Sequence, residues 1–477
     1  MEQGYTGALT DGNIRRIFGD CGDFIARDLH CGDLTVYFYA IDGLIGAATA
    51  SDYVVKPLAE MRENSMKTLY HRALHGDVYN AVADACEDLD TVALKLVNGF
   101  CVVLFPEVGA VAYEVKTPAI RGLAPPEVEN TVKGPKDAFV ETNRSNTGAI
   151  RRHLRSPDLR IWETQVGKRS LTNVSVVWLE GVTNPELVER MKKRLGDIDI
   201  DGMLTPSSVE EYVTGSRATA FPLIQYTQRT DRFCQGILNG RVGLFVDGLP
   251  MGYLAPVDLG TLMDSPEDRG RDYISASAIR VLRYLALALS LLLPGIYIAM
   301  ATFHQEMIPM PMLRAIIESK QSVPFSTAVE VLGLLIAFEL LQESGLHLPQ
   351  AVGQSVSIIG GIVVGTAAVE AKLISPAALI AVSIAGVCGF VQPNRDLAEA
   401  VRVWRFGIGA LGALGGLFGV TLGAVGLLIH LSGLESLGVS YLTPLSQGTV
   451  PPLMRSRLKN QKFRDANWNP VDRRNQR

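Results

Sequence analysis

Hydrophobic and polar positions divide this chain into two regions of different character. Up to Arg283 charged residues recur every few positions, whereas from there to Met454 long uncharged runs dominate. Residues 284–303 are uncharged over 20 positions, 344–369 over 26, 373–394 over 22 and 406–434 over 29. About 20 apolar residues at 1.5 Å rise cross a hydrocarbon core of about 30 Å, so each run is expected to span a bilayer. A fifth segment, 325–341, carries Glu330 and Glu339. An ionised carboxylate facing lipid costs several kcal/mol, so both should turn to protein, water or the interface. At about 100° per residue the two lie on opposite faces of a helix, and both cannot line one pore. One then faces a channel and the other a neighbouring helix, or the segment lies along the membrane surface.

Charge sets the expected topology. The tail after Pro452 holds eight Lys and Arg residues, from Arg455 to Arg477, and the positive-inside rule places it in the cytoplasm. Five crossings would put it outside. Four crossings keep it inside and expose only Arg395, Arg402 and Arg405, so four are expected, with the Glu330 segment interfacial or re-entrant. Lipid headgroups are the expected anionic partner of the tail, and nucleic acid is not. The last run places Gly412, Gly416, Gly419 and Gly423 three or four apart, a spacing that lets helix backbones approach closely in lipid. Another stripe, Gln354, Ser357, Gly361 and Gly365, suits either a helix interface or a narrow wet pore.

Before Arg283 the pattern changes to short strands and amphipathic helices. The segment VYFYAIDG (36–43) resembles SVVWLEG (175–181): an apolar run, an acid, then glycine. A helical stretch follows each. Further along, Asn98-Gly99 and Asn239-Gly240 each open a short apolar strand, a glycine-bearing turn and a return strand. This periodicity predicts two α/β lobes of similar plan joined by a Pro-rich, charged linker. Lobe two opens on a basic stretch with Arg151, Arg152, Arg155, Arg160, Lys168 and Arg169. A solvated helix face explains it, and so does docking to acidic lipid or a neighbouring subunit.

The fold expected is thus an α/β cytoplasmic region of two similar lobes followed by an all-α polytopic transmembrane bundle. Its divisions are 1–135 (first lobe and linker), 136–275 (second lobe), 276–452 (membrane helices) and 453–477 (basic tail). The N-terminus has no apolar run of signal-peptide length, so the lobes are expected to stay in the cytoplasm. Six cysteines without paired metal spacing read as buried thiols in a reducing compartment. There is no phosphate-binding Gly-Lys-Ser/Thr loop, His-Glu-x-x-His, Cys-x-x-Cys or nucleophile elbow. An enzyme is not expected, nor a cofactor or metal.

Residues 133–202, beginning KGPKDAFVETNRSN, resemble the A subunits of GerA-type spore germinant receptors. So do FPLIQYTQRTDR, SAIRVLRYLALALSLLLPGIYIAMATFHQEMIP, LHLPQAVGQSVSIIGGIVVGTAAVEAKLISP and HLSGLESLGVSYLTPL. The SpoVAF-type sporulation protein, a relative within that family, shares the architecture. The resemblance implies a multi-pass protein of the spore inner membrane with its soluble lobes facing the core. It implies assembly with B and C subunits of the receptor. It also implies a homo-oligomer that conducts ions; Glu330, Glu339, Gln354, Ser357 and Gly361, read above from their helix faces, are the candidate pore or interface residues. A non-conducting scaffold is the alternative.

Overall fold

The computed structural model describes residues 5, 7–116, 129, 133–203, 205–214, 218–347 and 365–442. Two antiparallel five-stranded sheets fill the first half. The first has the order β1-β2-β4-β5-β3, built from β1 (Phe24–Cys31), β2 (Leu34–Ile41), β3 (Ala83–Cys86), β4 (Phe100–Phe105) and β5 (Gly109–Glu114). The second has the order β6-β7-β9-β10-β8, built from β6 (Leu159–Val166), β7 (Thr172–Leu179), β8 (Gln225–Thr227), β9 (Val242–Val246) and β10 (Gly252–Ala255). Adding five to each strand number converts one order into the other.

The matching sequence segments occupy matching places. VYFYAIDG runs through β2 and SVVWLEG through β7. Asn98 caps the helix before β4 and Gly99 follows at φ +83°; Asn239 caps the helix before β9 and Gly240 follows at φ +82°. A left-handed residue after a helix end is where glycine lacks the Cβ penalty.

Both central strands are buried on two faces, which is why they read as continuous apolar runs. Helix α1 (Asp11–Phe18) and helix α2 (Leu89–Val97) cover Val102 and Leu104 of β4, while Leu69 and Ala73 cover Cys101, Val103 and Phe105 on the other side. In the second lobe α3 (Asn143–His153) and α5 (Thr230–Leu238) lie on the face of Phe245, and α4 (Pro185–Gly196) on the face of Val242, Leu244 and Val246. A Cβ at Gly243 would sit 2.2 Å from the Phe233 ring of α5, so the close fit of that helix requires glycine there.

The lobes are joined by buried charge. Arg151 of α3 grips Asp23, just ahead of β1, through two hydrogen bonds, one of 2.8 Å to Oδ1, and both residues are 1% exposed. Burial works against the guanidinium charge, and Asp23 more than offsets it. Arg160 donates to the Ile17 carbonyl, the Gly22 N–H donates to the Ile161 carbonyl, and Arg144 meets Asp42 and Glu163. The basic stretch is therefore only partly a solvated face. Lys168 and Arg169 are exposed and pair with Asp199 and Asp201, whereas Arg151 and Arg160 hold the lobes together.

Beyond the lobes lie α6 (Tyr273–Thr302), α7 (Met310–Lys320), α8 (Thr327–His347), α9 (Pro376–Phe390) and α10 (Arg395–Gly433). Of the described residues, α6 and α10 are long and apolar enough to cross a bilayer by length and composition, and α9 is shorter. α10, however, is not one rod. Gly415 and Gly416 leave helical geometry, Gly416 at φ +59° and ψ −143°, and the chain folds back on itself. Leu397, Ala400 and Val401 of the first arm pack with Leu427 and Leu431 of the second, and Trp404 lies 5.4 Å from the His430 ring. The run 406–434, expected as a single span, is thus the turn and parts of both arms of a helical hairpin. A 29-residue uncharged run is long for one crossing, and the spacing of Gly412, Gly416, Gly419 and Gly423 predicts a packing face without marking the reversal.

The Glu330 segment forms a helix packed within the bundle. Val331 and Leu335 of α8 are fully buried against Ile298 of α6 and against Ala378 and Val382 of α9. Its charges do not forbid that position, because each carboxylate has partners within the chain.

Candidate functional site at the lobe–bundle junction

One apolar core runs from the second lobe into the helices without a break. Phe221, Leu223, Val257, Leu262 and Met263 of the lobe pack with Leu397, Ala400, Val401, Leu427, Leu431, Leu434 and Tyr441. Polar clamps border it. Arg283 of α6 makes bonds of 2.5 and 2.8 Å to the Asp268 carboxylate, which is 2% exposed, and Arg280 pairs with Asp264. Gln392 donates to the Arg283 carbonyl, and His430 shares a 2.8 Å hydrogen bond with Thr219. Burial raises the pKa of Glu210 beside this core, although the Leu223 and Ile224 N–H groups oppose the shift. The junction has no slack hinge: helices and lobe share side chains.

Helix directions follow from these contacts. α6 leaves the lobe at Arg283 and ends at Phe303, beside Gly416 of the hairpin turn. α8 runs the opposite way. Its Glu330 is at the far end, where Oε2 accepts from the Ser375 hydroxyl at 2.7 Å and the Ser375 N–H at 3.1 Å. Oε1 lies 3.7 Å from the Lys320 ammonium. Glu330 therefore sits at the N-terminus of α9, where the helix dipole favours a negative charge. Glu339, nearer the lobes, accepts from Arg402 at 2.9 Å and from Arg405 at 2.7 Å. The Arg402 and Arg405 that a four-span scheme left outside are instead these partners. α9 runs from Ser375 at the far end to Gln392 at the junction, and α10 starts out again from there.

The four glycines of the last run all face protein. A Cβ at Gly412 would meet the Gly295 carbonyl oxygen of α6 at 2.9 Å, one at Gly419 the Leu411 carbonyl oxygen at 2.0 Å, and one at Gly423 the Ile408 side chain at 3.0 Å. Gly416 forms the turn itself. Gln354, Ser357 and Gly361 lie outside the described residues. The outward face of the hairpin is apolar: Leu414 is 81% exposed and Phe418 75%, with Leu422, Leu428 and Ile429 continuing the stripe. A patch of that extent on the isolated chain needs lipid or another subunit against it. Among the described residues no group of three His, Cys, Asp or Glu side chains is placed to hold a metal ion. Five cysteines are buried and Cys388 is half-buried; burial pushes the Cys101 thiol up to about 12 and that of Cys86 to about 11.

Sequence reasoning missed the Asp23–Arg151 pair and the return of the chain after the hairpin. The first had no local signal, since the partners are far apart in sequence. The second had one: SLGVS (436–440) after the apolar run has the form of a tight strand–turn–strand.

The molecule so described is a pair of duplicated α/β lobes fused to an apolar helical unit. Residues 12–474 match the family described as Bacillus/Clostridium GerA spore germination protein. The chain belongs to the GerA family. It is 30% identical over 459 residues to the uncharacterized membrane protein YfkQ of Bacillus subtilis, covering 96% of this chain and 88% of that one. It is 31% identical over 447 residues to spore germination protein KA of the same organism, covering 92% and 82%. The crystal structure of the N-terminal domain of the A subunit of the Bacillus megaterium spore germinant receptor GerK3 aligns at a TM-score of 0.41 and 23% identity, over 53% of this chain and 96% of that chain.

Proposed function

We propose that this chain is the A-type membrane subunit of a spore germinant receptor and that copies of it assemble, with B and C subunits, into an ion-conducting oligomer. The observation that carries the membrane part is the alternation of the helices about an apolar, lipid-fit exterior. α6 runs out from the lobes, α8 back, α9 back, and the two arms of α10 out and back. Between α8 and α9 the chain must return to the far end, and the uncharged run 344–369 is long enough to do so. Six crossings result, with the lobes and the basic tail on one side, in the spore inner membrane.

The pairing of Glu330 and Glu339 within one chain supports a helix-packing role for both. The pore wall then falls to the small and polar stripe of Gln354, Ser357 and Gly361. A ring of small residues sets the width of a constriction.

Family membership supports the receptor reading, and spores test it. Spores lacking this chain should lose their response to one class of nutrient while still responding to others, and its B and C partners should fail to co-purify. A normal response to every nutrient that triggers wild-type spores would remove the receptor reading.

Topology has its own expected result. A single cysteine at Gly415, in the hairpin turn where a Cβ meets nothing within 4 Å, should react with a membrane-impermeant thiol reagent in intact cells. One at Asn475 in the tail should react only after lysis. Labelling of both from the same side would contradict six crossings.

A further inference from the structure

The second lobe is closed by a piece of chain that arrives only after the last helix. Strands β11 (Glu435–Ser436) and β12 (Val439–Ser440) form a tight hairpin directly after α10, turning on Leu437 at φ +48° and Gly438 at φ +86°. Leucine rarely adopts that left-handed conformation, and here its side chain is fully buried in the core of the second lobe, with Val439 beside it at 1% exposed. Ser436 is fully buried too. Its hydroxyl donates to the Leu223 carbonyl at 2.5 Å and accepts from the Val257 N–H at 3.0 Å. Arg190 of α4 donates to the Leu437 carbonyl at 3.3 Å, and the Leu259 N–H donates to the Tyr441 carbonyl at 3.1 Å.

The first lobe makes this arrangement informative. It has the same strand order, yet its two cores are built from residues between Ile14 and Val115, all its own. The fold therefore does not demand a strap. The second lobe carries one, and the strap's other end is the second arm of the hairpin, 417–433.

We infer that residues 435–441 are a mechanical coupler that makes the second lobe and the second hairpin arm open and close as one cooperative unit. A displacement of the lobe core moves Leu437 and Val439, and through the short link at Leu434 it moves the arm, whose Leu427 and Leu431 already pack on Phe221 and Leu223. This coupling deepens the membrane reading above and rests on it for its functional meaning. The coupling itself is a property of the fold and is measurable without any ion flux.

The test is amide hydrogen exchange on the full-length protein in lipid nanodiscs. Leu437→Asp puts a charge into the lobe core, and Ser436→Ala, the milder change, removes two buried hydrogen bonds with no added volume and keeps the test readable should the first variant not fold. In either variant, exchange should speed up about tenfold or more in β8 to β10 and in 417–433 together, with β1 to β5 unchanged. Faster exchange confined to 434–442, or in the lobe without the arm, would overturn the coupler. A protein that shows coupled exchange but conducts nothing in liposomes would instead overturn the channel reading and leave the coupler standing.

Discussion

Gly419→Ala is expected to prevent the hairpin from closing. A methyl group there would stand 2.0 Å from the Leu411 carbonyl oxygen on the opposite arm, well inside contact distance. The obstacle is backbone, so no side-chain rotation relieves it. The arms would have to separate, and with them the packing of Ile408 and Val420 against Ala299 of α6. Overpacking a well-packed core costs about 1–3 kcal/mol and occasionally more, and a clash with backbone places this variant at or beyond the upper end. Gly415→Ala is the control, because a Cβ there meets nothing within 4 Å and the backbone has a negative φ of −127°. Western blots of the membrane fraction and thermal unfolding in detergent should show the first variant strongly depleted and the second near wild type. Equal accumulation and equal unfolding temperature would mean that α10 is a continuous rod.

Asp23→Ala should be the most damaging substitution in the soluble half. It strands Arg151, itself 1% exposed, without the carboxylate that holds both lobes to it. Breaking a buried pair by removing one partner costs about 3–5 kcal/mol, chiefly from the uncompensated charge left behind. Asp23→Leu combined with Arg151→Met should recover most of that loss, since an apolar pair of similar volume leaves no charge to solvate. Thermal unfolding of the full-length protein, followed by limited proteolysis between the lobes, reads both effects. If the single and the double variant are equally destabilised, the contribution of the site is packing rather than charge.

The duplicated plan of the lobes was legible because it is written locally. Alternation along β2 and β7, and an Asn-Gly pair ahead of each central strand, need no knowledge of partners far away. The hairpin was not legible for the opposite reason. Gly415-Gly416 is one of several glycine positions in the run, and the packing of the two arms that accompanies the reversal joins residues too far apart for any local pattern to show. Charge was legible only in part: the two carboxylates were expected to turn to protein, water or the interface, but their partners were not visible. Glu330 and Glu339 look foreign to a membrane helix when their partners are unknown. Ser375, Lys320, Arg402 and Arg405, between 10 and 66 positions away, make them ordinary helix contacts. Counting Arg395, Arg402 and Arg405 as a loop charge ignored that two of them face into the bundle.

Ion flux through the purified chain in liposomes tests the central claim most directly. The full-length protein should carry a cation current or release a trapped cation well above empty vesicles, and Gly361→Leu at matched incorporation should reduce that flux sharply by narrowing the constriction. Flux no greater than in empty vesicles, from protein shown to be folded and oriented, would contradict conduction by this subunit and leave it a non-conducting scaffold of the receptor.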